Sequence, residues 1–443
     1  MDVRREELPL SLLMFAYFFL VITSFWILKP LKKALFIQYY DQAGVVLGSL
    51  QLSAAQAELL AKVLNMLVAF VAVMVFTALS RKLHRQQLTL VFSGFFVAGY
   101  LAFANWLTNP GDYAVWSFYL FGDLYSTLMV ATFFAFLNDS MTQDSAKRLY
   151  GLIGLGGVTG GVFGSTVVRV KIESLSYADW LWLCIGIAVV IAVVAVIAGR
   201  RVTVPLPTPE PSEQRKGSVA TEGARLVFSS RYLLSVVAIV GLYEIISTII
   251  DFQFTATIAH YLSGPAIGAQ FALAYTITNW VSFLVQLFLT SFVMSRYGVG
   301  IALLVLPASI ALGSSAFVLF PILWTGTLLT TADNGFSYSI NQSAKEALYV
   351  PTSAAEKYRA KAFIDMFIQR FAKAIAVVIS LGLTLAFSDF ESLRYLSLVT
   401  LGLLVVWIIA ARYAGRQFNQ FEEQHSAGSS ATKANAGADS ATA

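Results

Sequence analysis

Long runs of apolar residues alternate with short polar segments along most of the chain. A run of about 20 apolar residues is long enough to cross the hydrocarbon core of a membrane as a helix. Because lipid offers the backbone no hydrogen-bond partners, helices are favoured for such runs. The pattern predicts about twelve spans, at residues 8–28, 63–80, 88–107, 113–137, 149–168, 180–199, 232–250, 267–294, 299–320, 322–340, 362–387 and 395–411.

A polar segment divides these spans into two groups of six. Residues 200–231 contain four closely spaced prolines and charges of both signs, a composition typical of a linker. We therefore expect an amino-terminal six-helix half at residues 1–199, a cytoplasmic linker, and a carboxy-terminal six-helix half at residues 232–415. Residues 416–443 end in a run rich in Ala, Ser, Gly and Thr, which predicts a disordered cytoplasmic tail.

The two halves also resemble one another. In each half the fourth span ends near an asparagine, Asn138 or Asn341, and a basic loop opens the fifth span. Two parallel six-helix halves joined by a cytoplasmic linker are the layout of major-facilitator-type transporters. The sequence therefore predicts an all-α membrane protein with a major-facilitator-like fold.

The composition excludes an ordinary soluble protein. Of the 443 residues, 57% are hydrophobic and only 12% are charged, whereas soluble domains have about 25% charged residues. The net charge of +5 is spread over short loops, so we expect no nucleic-acid partner. Most of the basic residues fall in alternate loops, and the positive-inside rule then places both termini in the cytoplasm.

No catalytic or metal centre emerges from the sequence. The histidines, His84, His260 and His425, are far apart and lack the spacing of metal ligands. The single cysteine, Cys184, lies in an apolar run and is expected to pack as a small hydrophobe. We therefore expect neither an enzyme nor a bound cofactor.

Glycines are concentrated in the fifth span. They do not form the GxxxxGK[ST] loop of nucleotide-binding proteins, and they lack the strand–turn–helix context of a dinucleotide site. Gly156, Gly160 and Gly164 recur every four residues. Because this spacing lets membrane helices approach closely, we expect these glycines to pack against another helix.

Three lysines follow the first apolar run. Lys29, Lys32 and Lys33 are spaced to share one helical face, although Pro30 disturbs that turn. They either extend to the outer interface or face an anion, and positive charge at the outer end runs against the positive-inside bias. Apolar residues resume at 34–37, which suggests that the helix continues past the lysines.

Further charged residues lie within spans of both halves. They are either ion pairs that lock helices together or parts of a binding site, and in both cases they should face the bundle interior. Arginine binds phosphate bidentately and lysine acts as a point charge, so we expect the basic residues to bind an anion. Besides the three lysines, the candidates are Asp123, Glu244, Asp251, Asp365, Arg370 and Lys373.

Three blocks of sequence carry a family resemblance. They are residues 341–351 (NQSAKEALYVP) with 356–365 (EKYRAKAFID), residues 146–154 (AKRLYGLIG) and residues 27–33 (ILKPLKK). They resemble segments of the nucleotide transporters typified by the ATP/ADP translocases of plastids and obligate intracellular bacteria. The block at 356–365 is similar to the family's Lys-x-Lys-Ala-x-Ile-Asp pattern, with Arg359 in place of the first lysine.

The resemblance implies a twelve-helix, major-facilitator-like fold and assigns some functional charges. The family's first-span lysine corresponds to Lys32 and its fourth-span acid to Asp123. Its eleventh-span aspartate and lysine correspond to Asp365 and Lys373.

Two departures indicate a divergent bacterial relative, which we expect in the inner membrane. The family's first-span Arg-Asp pair is here Lys29-Pro30. Its seventh-span glutamate aligns with Thr248, and Glu244 stands one turn earlier as a substitute.

The expected function is that of a secondary transporter that exchanges nucleotides, as ATP/ADP exchangers do, by alternating access. One alternative is a carrier of another organic anion, or of a proton-coupled solute, on the same fold. Another is a membrane scaffold that transports nothing. The expected partners are a small anionic substrate and the lipid bilayer, and the sequence leaves the oligomeric state open.

Overall fold

The computed structural model describes residues 7–141, 143–202, 219–350, 360–387 and 389–441. Over these residues it consists of helices and one short β-hairpin. The first part of the chain forms α1 (Leu8–Tyr40), β1 (Val45–Leu47), β2 (Leu50–Leu52), α2 (Ala54–Ser80), α3 (Arg85–Trp106), α4 (Asp112–Asn138), α5 (Gln143–Lys171) and α6 (Tyr177–Arg201).

The rest of the described chain is also helical, and three of its helices contain a π-helical turn. Its elements are α7 (Val219–Ser229), α8 (Arg231–Tyr261), α9 (Pro265–Leu284), a π turn (Val285–Thr290), α10 (Ser291–Leu319), α11 (Leu323–Phe336), a π turn (Ser337–Asn341), α12 (Gln342–Ala347), α13 (Lys361–Phe363), a π turn (Ile364–Ile368), α14 (Gln369–Ala386), a 3-10 turn (Phe390–Ser392) and α15 (Leu393–Ala441).

The described helices account for twelve spans. Ten helical stretches are long and apolar enough to cross a membrane. One of them, Pro265–Leu319, has 55 residues and breaks at Gly298, where the positive φ of 78° is one that glycine adopts without strain. It covers both the eighth and the ninth expected spans. The tenth expected span lies in the continuous helical stretch from Leu323 to Ala347, which contains a π turn.

The central helix of the first part, α1, is longer than the first apolar run. It has 33 residues and packs against α2, α4, α5 and α6. It passes through Pro30 and includes the apolar residues 34–37, as the sequence suggested. The three lysines therefore belong to the carboxy-terminal half of a continuous helix.

The glycines of α5 pack against α1, which confirms the prediction from their spacing. A Cβ added to Gly156 or Gly164 would lie 2.5 or 2.6 Å from the backbone carbonyl oxygen of Phe15 or Thr23. The hydroxyl of Thr23 donates a hydrogen bond of 3.2 Å to the carbonyl of Gly160. Only a residue without a side chain allows such an approach between two membrane helices.

The chain divides into two compact units. The first comprises Met1–Glu213 and Thr255–Phe283, and the second comprises Gln214–Phe254 and Leu284–Ala443. The first unit thus includes the segment Thr255–Phe283, which the sequence-based boundaries placed in the carboxy-terminal half. Those boundaries remain a prediction.

Three elements were not predicted from the sequence. The hairpin β1–β2 is antiparallel, and Gly44 and Gly48 adopt a positive φ of 62° before and within it. Helix α7 occupies the end of the expected linker, of which residues 203–218 lie outside the described part of the chain. Helix α15 continues to Ala441, over a tail for which disorder was expected; its alanines favour helix.

Candidate functional site

Charged side chains gather inside the first unit, where α1, α2 and α4 pack against one another. The members of this group come from all three helices, and most of their surface is buried. The group, here named the amino-terminal cluster, comprises Lys29, Lys32, Lys33, Glu58, Lys62 and Asp123.

The ion pair between Lys32 of α1 and Asp123 of α4 lies in this cluster. The Lys32 side chain is only 6% exposed, and its Nζ lies 4.2 Å from the centroid of the Tyr119 ring. The lysine stem lies over Gly122, where an added Cβ would be 2.8 Å from Lys32 Cδ. The dipeptide Gly122-Asp123 therefore supplies both the space for the lysine and its counter-charge, which a buried ammonium requires.

A second carboxylate, that of Glu58, joins two further lysines. Its Oε1 lies 3.7 Å from Lys33 Nζ and its Oε2 lies 3.1 Å from Lys62 Nζ. The hydroxyl of Tyr119 donates a 2.6 Å hydrogen bond to Oε1. The Glu58 side chain is fully buried. Tyr119 therefore links the two ion-pair groups of the cluster: its ring faces Lys32, and its hydroxyl donates a hydrogen bond to Glu58.

Glu58 and Lys62 were missed from the sequence because the second span was expected to begin at residue 63. The helix begins nine residues earlier, at Ala54. A readable signal marks this start: Ser53 and Gln56 form a capping box, in which each side chain accepts a hydrogen bond from the other's backbone N–H. With the correct start, both charges fall within the helix.

Lys29 lies among aromatic rings of the same unit. Its Nζ is 4.6 Å from the centroid of the Trp26 ring and 4.8 Å from that of Tyr275, distances at which an ammonium is attracted to the face of a ring. Lys32 and Lys33 are buried. The three lysines are thus inside the first unit, and the structure brings Asp123 to the same place.

The candidates of α8 and α14 meet in the second unit. Glu244 Oε2 lies 3.5 Å from Lys373 Nζ, and the two side chains are 14% and 47% exposed. Asp251 follows Glu244 by two helical turns on α8, which keeps it on the same face, and it is half-buried. Asp333 of α11 joins the same helix, because Ser247 of α8 donates a hydrogen bond to its carboxylate. This group, the carboxy-terminal cluster, comprises Glu244, Asp251, Asp333 and Lys373.

Asp333 is an ionisable residue that the sequence-based list of candidates did not include. Its side chain is fully buried, and the hydroxyl of Ser247 donates a 2.7 Å hydrogen bond to Oδ2. One turn earlier on α8, the hydroxyl of Tyr243 lies 2.5 Å from that of Ser337. Ser337 begins a π turn, a feature that is frequent at functional sites.

The remaining two candidates lie at the start of the eleventh span. Asp365 is on the π turn Ile364–Ile368, is exposed and accepts a 3.1 Å hydrogen bond from Gln369 Nε2. Arg370 is half-buried on α14. The basic residues before this point, at 357 and 359, lie outside the described residues.

No metal site accompanies these groups in the part of the chain that the structure describes, where no three or more His, Cys, Asp or Glu side chains could hold an ion. The described clusters offer ammonium groups, carboxylates and hydroxyls. Such groups bind anions and hydrogen-bonding solutes.

The fold resembles that of a solved membrane transporter. The crystal structure of the nucleoside transporter NupG matches 93% of this chain over 99% of its own, at 15% identity and a TM-score of 0.60. At this identity the likeness shows the fold alone, and it confirms the prediction of a major-facilitator-like membrane protein.

Sequence relatives are found among ATP/ADP carriers. The chloroplastic ADP,ATP carrier protein 2 of Arabidopsis thaliana is 23% identical over 69% of this chain, which spans 55% of the relative's length. The plastidic ATP/ADP-transporter of Solanum tuberosum is 24% identical over 95% of this chain and 74% of its own. The chain therefore spans about half the length of one relative and about three quarters of the other.

A family model gives the assignment. The model described as TLC ATP/ADP transporter matches residues 105–331 and 318–418, more than half of the chain. The matched residues include Asp123 and all the candidates of the second unit. The resemblance drawn from the sequence is thereby confirmed, and the chain belongs to the TLC ATP/ADP transporter family.

Proposed function

We propose that this protein is a secondary transporter that exchanges nucleotides, as ATP/ADP exchangers do, by alternating access. The family and the names of the two plant relatives, both ATP/ADP carriers, support a nucleotide as substrate. We place the protein in a bacterial inner membrane with both termini in the cytoplasm, in keeping with the distribution of its basic loops.

The observation that carries the proposal is the ion pair between the buried Lys32 and Asp123 of α4. Burying a charge such as that of Lys32 costs more than many ion pairs return, and ionisable groups inside membrane spans are by default functional. Lys29, Lys32 and Lys33 would hold phosphate groups of the substrate. Their attraction to an anion is strengthened because the surrounding protein has a lower dielectric constant than water.

The candidates of the second unit complete the assignment. Lys373 and Arg370 would bind phosphate, Lys as a point charge and Arg through its planar fork. The carboxylates of Glu244, Asp251 and Asp365 are acceptors only, and would receive hydrogen bonds from sugar hydroxyls and base amino groups. These carboxylates would also exclude anions that lack such donors.

The test is uptake of labelled ATP by liposomes that contain the purified protein, with and without ADP inside. We expect uptake that trans ADP stimulates, since an exchanger returns only when loaded. Lys32→Ala should abolish this uptake, whereas Lys82→Ala, which removes an exposed lysine, should leave it near the wild-type rate. A folded, inserted protein that takes up no ATP under either condition would refute the proposal.

Asp333 favours a second candidate, a proton-coupled carrier of another organic anion. A fully buried carboxylate with a hydroxyl donor at 2.7 Å can hold a proton within a span, as acidic residues do in proton relays. In this case a pH gradient, not trans nucleotide, would drive uptake of the anion. Uptake that is indifferent to the gradient and to Asp333→Asn would exclude this candidate.

A further inference from the structure

Glu58 has no role in the function proposed above, although its carboxyl group lies in the interior of the first unit. Its side chain is 0% exposed. A carboxylate in such a place is stable only when nearby groups replace the water that it has lost. The identity and the geometry of those groups indicate what Glu58 does.

The partners of Glu58 are not equivalent. Tyr119 donates a short hydrogen bond of 2.6 Å, whereas the ammonium groups lie at 3.1 Å (Lys62) and 3.7 Å (Lys33). Charge-assisted N–H···O bonds are usually about 2.7–2.9 Å long. None of the described residues donates a hydrogen bond of acceptable length and angle to Glu58 Oε2. Tyr119 therefore anchors the carboxylate, and the two lysines are held to it more loosely.

The cluster also has more cations than carboxylates. It holds four lysines and two acids, and one acid, Asp123, is engaged by Lys32. Lys33 and Lys62 both lie beside the carboxylate of Glu58. An arriving phosphate group is a stronger acceptor with more charge, and it would compete with Glu58 for the same ammonium groups.

We propose that Glu58 is the resident counter-ion of Lys33 and Lys62 in the empty carrier, and that substrate phosphate takes these lysines over on binding. Tyr119 keeps the carboxylate in place, so that it pairs with the lysines again when the substrate leaves. Glu58 is thus a positioning residue that lowers the affinity for the anion and assists its release. The inference rests on the proposed function for the identity of the substrate, but not for the competition between anions.

The test is Glu58→Gln, which preserves shape and removes the charge, with Glu173→Gln as a matched control on the exposed surface of the same unit. Because the competitor is gone, we expect the KM for ATP to fall about tenfold. The maximal exchange rate should fall as well, because release is slower and the empty carrier has uncompensated cations. Glu58→Asp, which restores the charge, should recover much of both values.

A purely structural role predicts a different pattern. It would lower the amount of folded protein and the rate, with KM unchanged or raised. Tyr119→Phe supplies a second variant that removes one hydroxyl only. Without the anchor, the carboxylate depends more on its lysines, so anion affinity should fall a few-fold, the opposite direction to Glu58→Gln.

A binding measurement separates this inference from the proposed function. Pyrophosphate should raise the melting temperature of purified Glu58→Gln at concentrations about tenfold below those needed for the wild type. If that shift occurs while the wild type transports no nucleotide, the proposed function fails and the counter-ion role stands. Equal pyrophosphate dependence of the wild type and Glu58→Gln would overturn the counter-ion role, whatever the protein transports.

Discussion

The two charge clusters have the same chemistry, but their lysines differ in enclosure. In the amino-terminal cluster Lys32 is 6% exposed and Glu58 is fully buried. In the carboxy-terminal cluster Lys373 is 47% exposed and lies 3.5 Å from Glu244. Each cluster has an ion pair, Lys32 with Asp123 or Lys373 with Glu244, that joins two helices distant in sequence. The exposure of the lysine, not the connectivity of the helices, therefore distinguishes the two pairs.

This difference in exposure indicates which charges stabilise the fold and which are available to bind a solute. A buried charge has lost its water, so it depends on the counter-charge that the protein supplies. A half-exposed ammonium retains much of its hydration and contributes little to stability. We infer that the amino-terminal cluster is preformed, and that Lys373 can move to meet a ligand at small energetic cost.

The largest expected effect comes from breaking the enclosed pair. Lys32→Ala leaves the carboxylate of Asp123 without its main partner. Breaking a fully buried pair typically costs about 3–5 kcal/mol, and this value is the upper bound here because water still reaches Asp123, which is 24% exposed. The melting temperature of the purified protein should fall strongly, and a part of the loss should return in the double variant Lys32→Ala/Asp123→Ala, where neither charge remains. Equal stability of the single and double variants would show that the two residues are not coupled.

A smaller loss of stability is expected when the close contact between α1 and α5 is disturbed. Gly160→Ala places a methyl group against the backbone of α1, and overpacking of this kind costs about 1–3 kcal/mol. Gly154→Ala is the matched control on the same helix, because nothing lies within 4 Å of its added Cβ. The melting temperature of Gly154→Ala should be higher than that of Gly160→Ala. The reverse order would contradict the packing described for α1 and α5.

The smallest effect on stability is expected at the open cluster, where the effect on transport is nevertheless large. Lys373→Ala removes a half-exposed pair worth about 0–1 kcal/mol, so the melting temperature should change little. Uptake should fall far more than with Arg412→Ala, which removes an exposed cation near the end of the last span. Equal uptake by the two variants would remove Lys373 from the site.

The fold could be predicted because it depends on the length of apolar runs. Each run that can cross the hydrocarbon core forms a helix, and the twelve expected spans have counterparts among the described helices. The structure differs from the prediction at elements that do not depend on the pattern of apolar residues. The hairpin at residues 45–52 depends on two glycines with positive φ, and the π turns add a residue without changing the composition.

The candidate site could be predicted only in part, for a related reason. A charge inside an apolar run is visible in the sequence, and Lys32, Asp123 and Lys373 were recognised in this way. Their partners depend on which helices pack together. Glu58 was missed because it lies between a capping box and the apolar run, and its contact with Tyr119 arises only when α2 packs against α4.

The length of α1 links the site to the membrane itself. Its 33 residues extend over about 50 Å, whereas the hydrocarbon core is about 30 Å thick. A helix of this length is accommodated by tilting, by extending beyond the core or by thickening the lipid around it. Because Lys29, Lys32 and Lys33 lie in its carboxy-terminal half, each of these adjustments changes their depth. The acyl-chain length of the surrounding lipid therefore helps to determine how far below the membrane surface the first unit presents its positive charge.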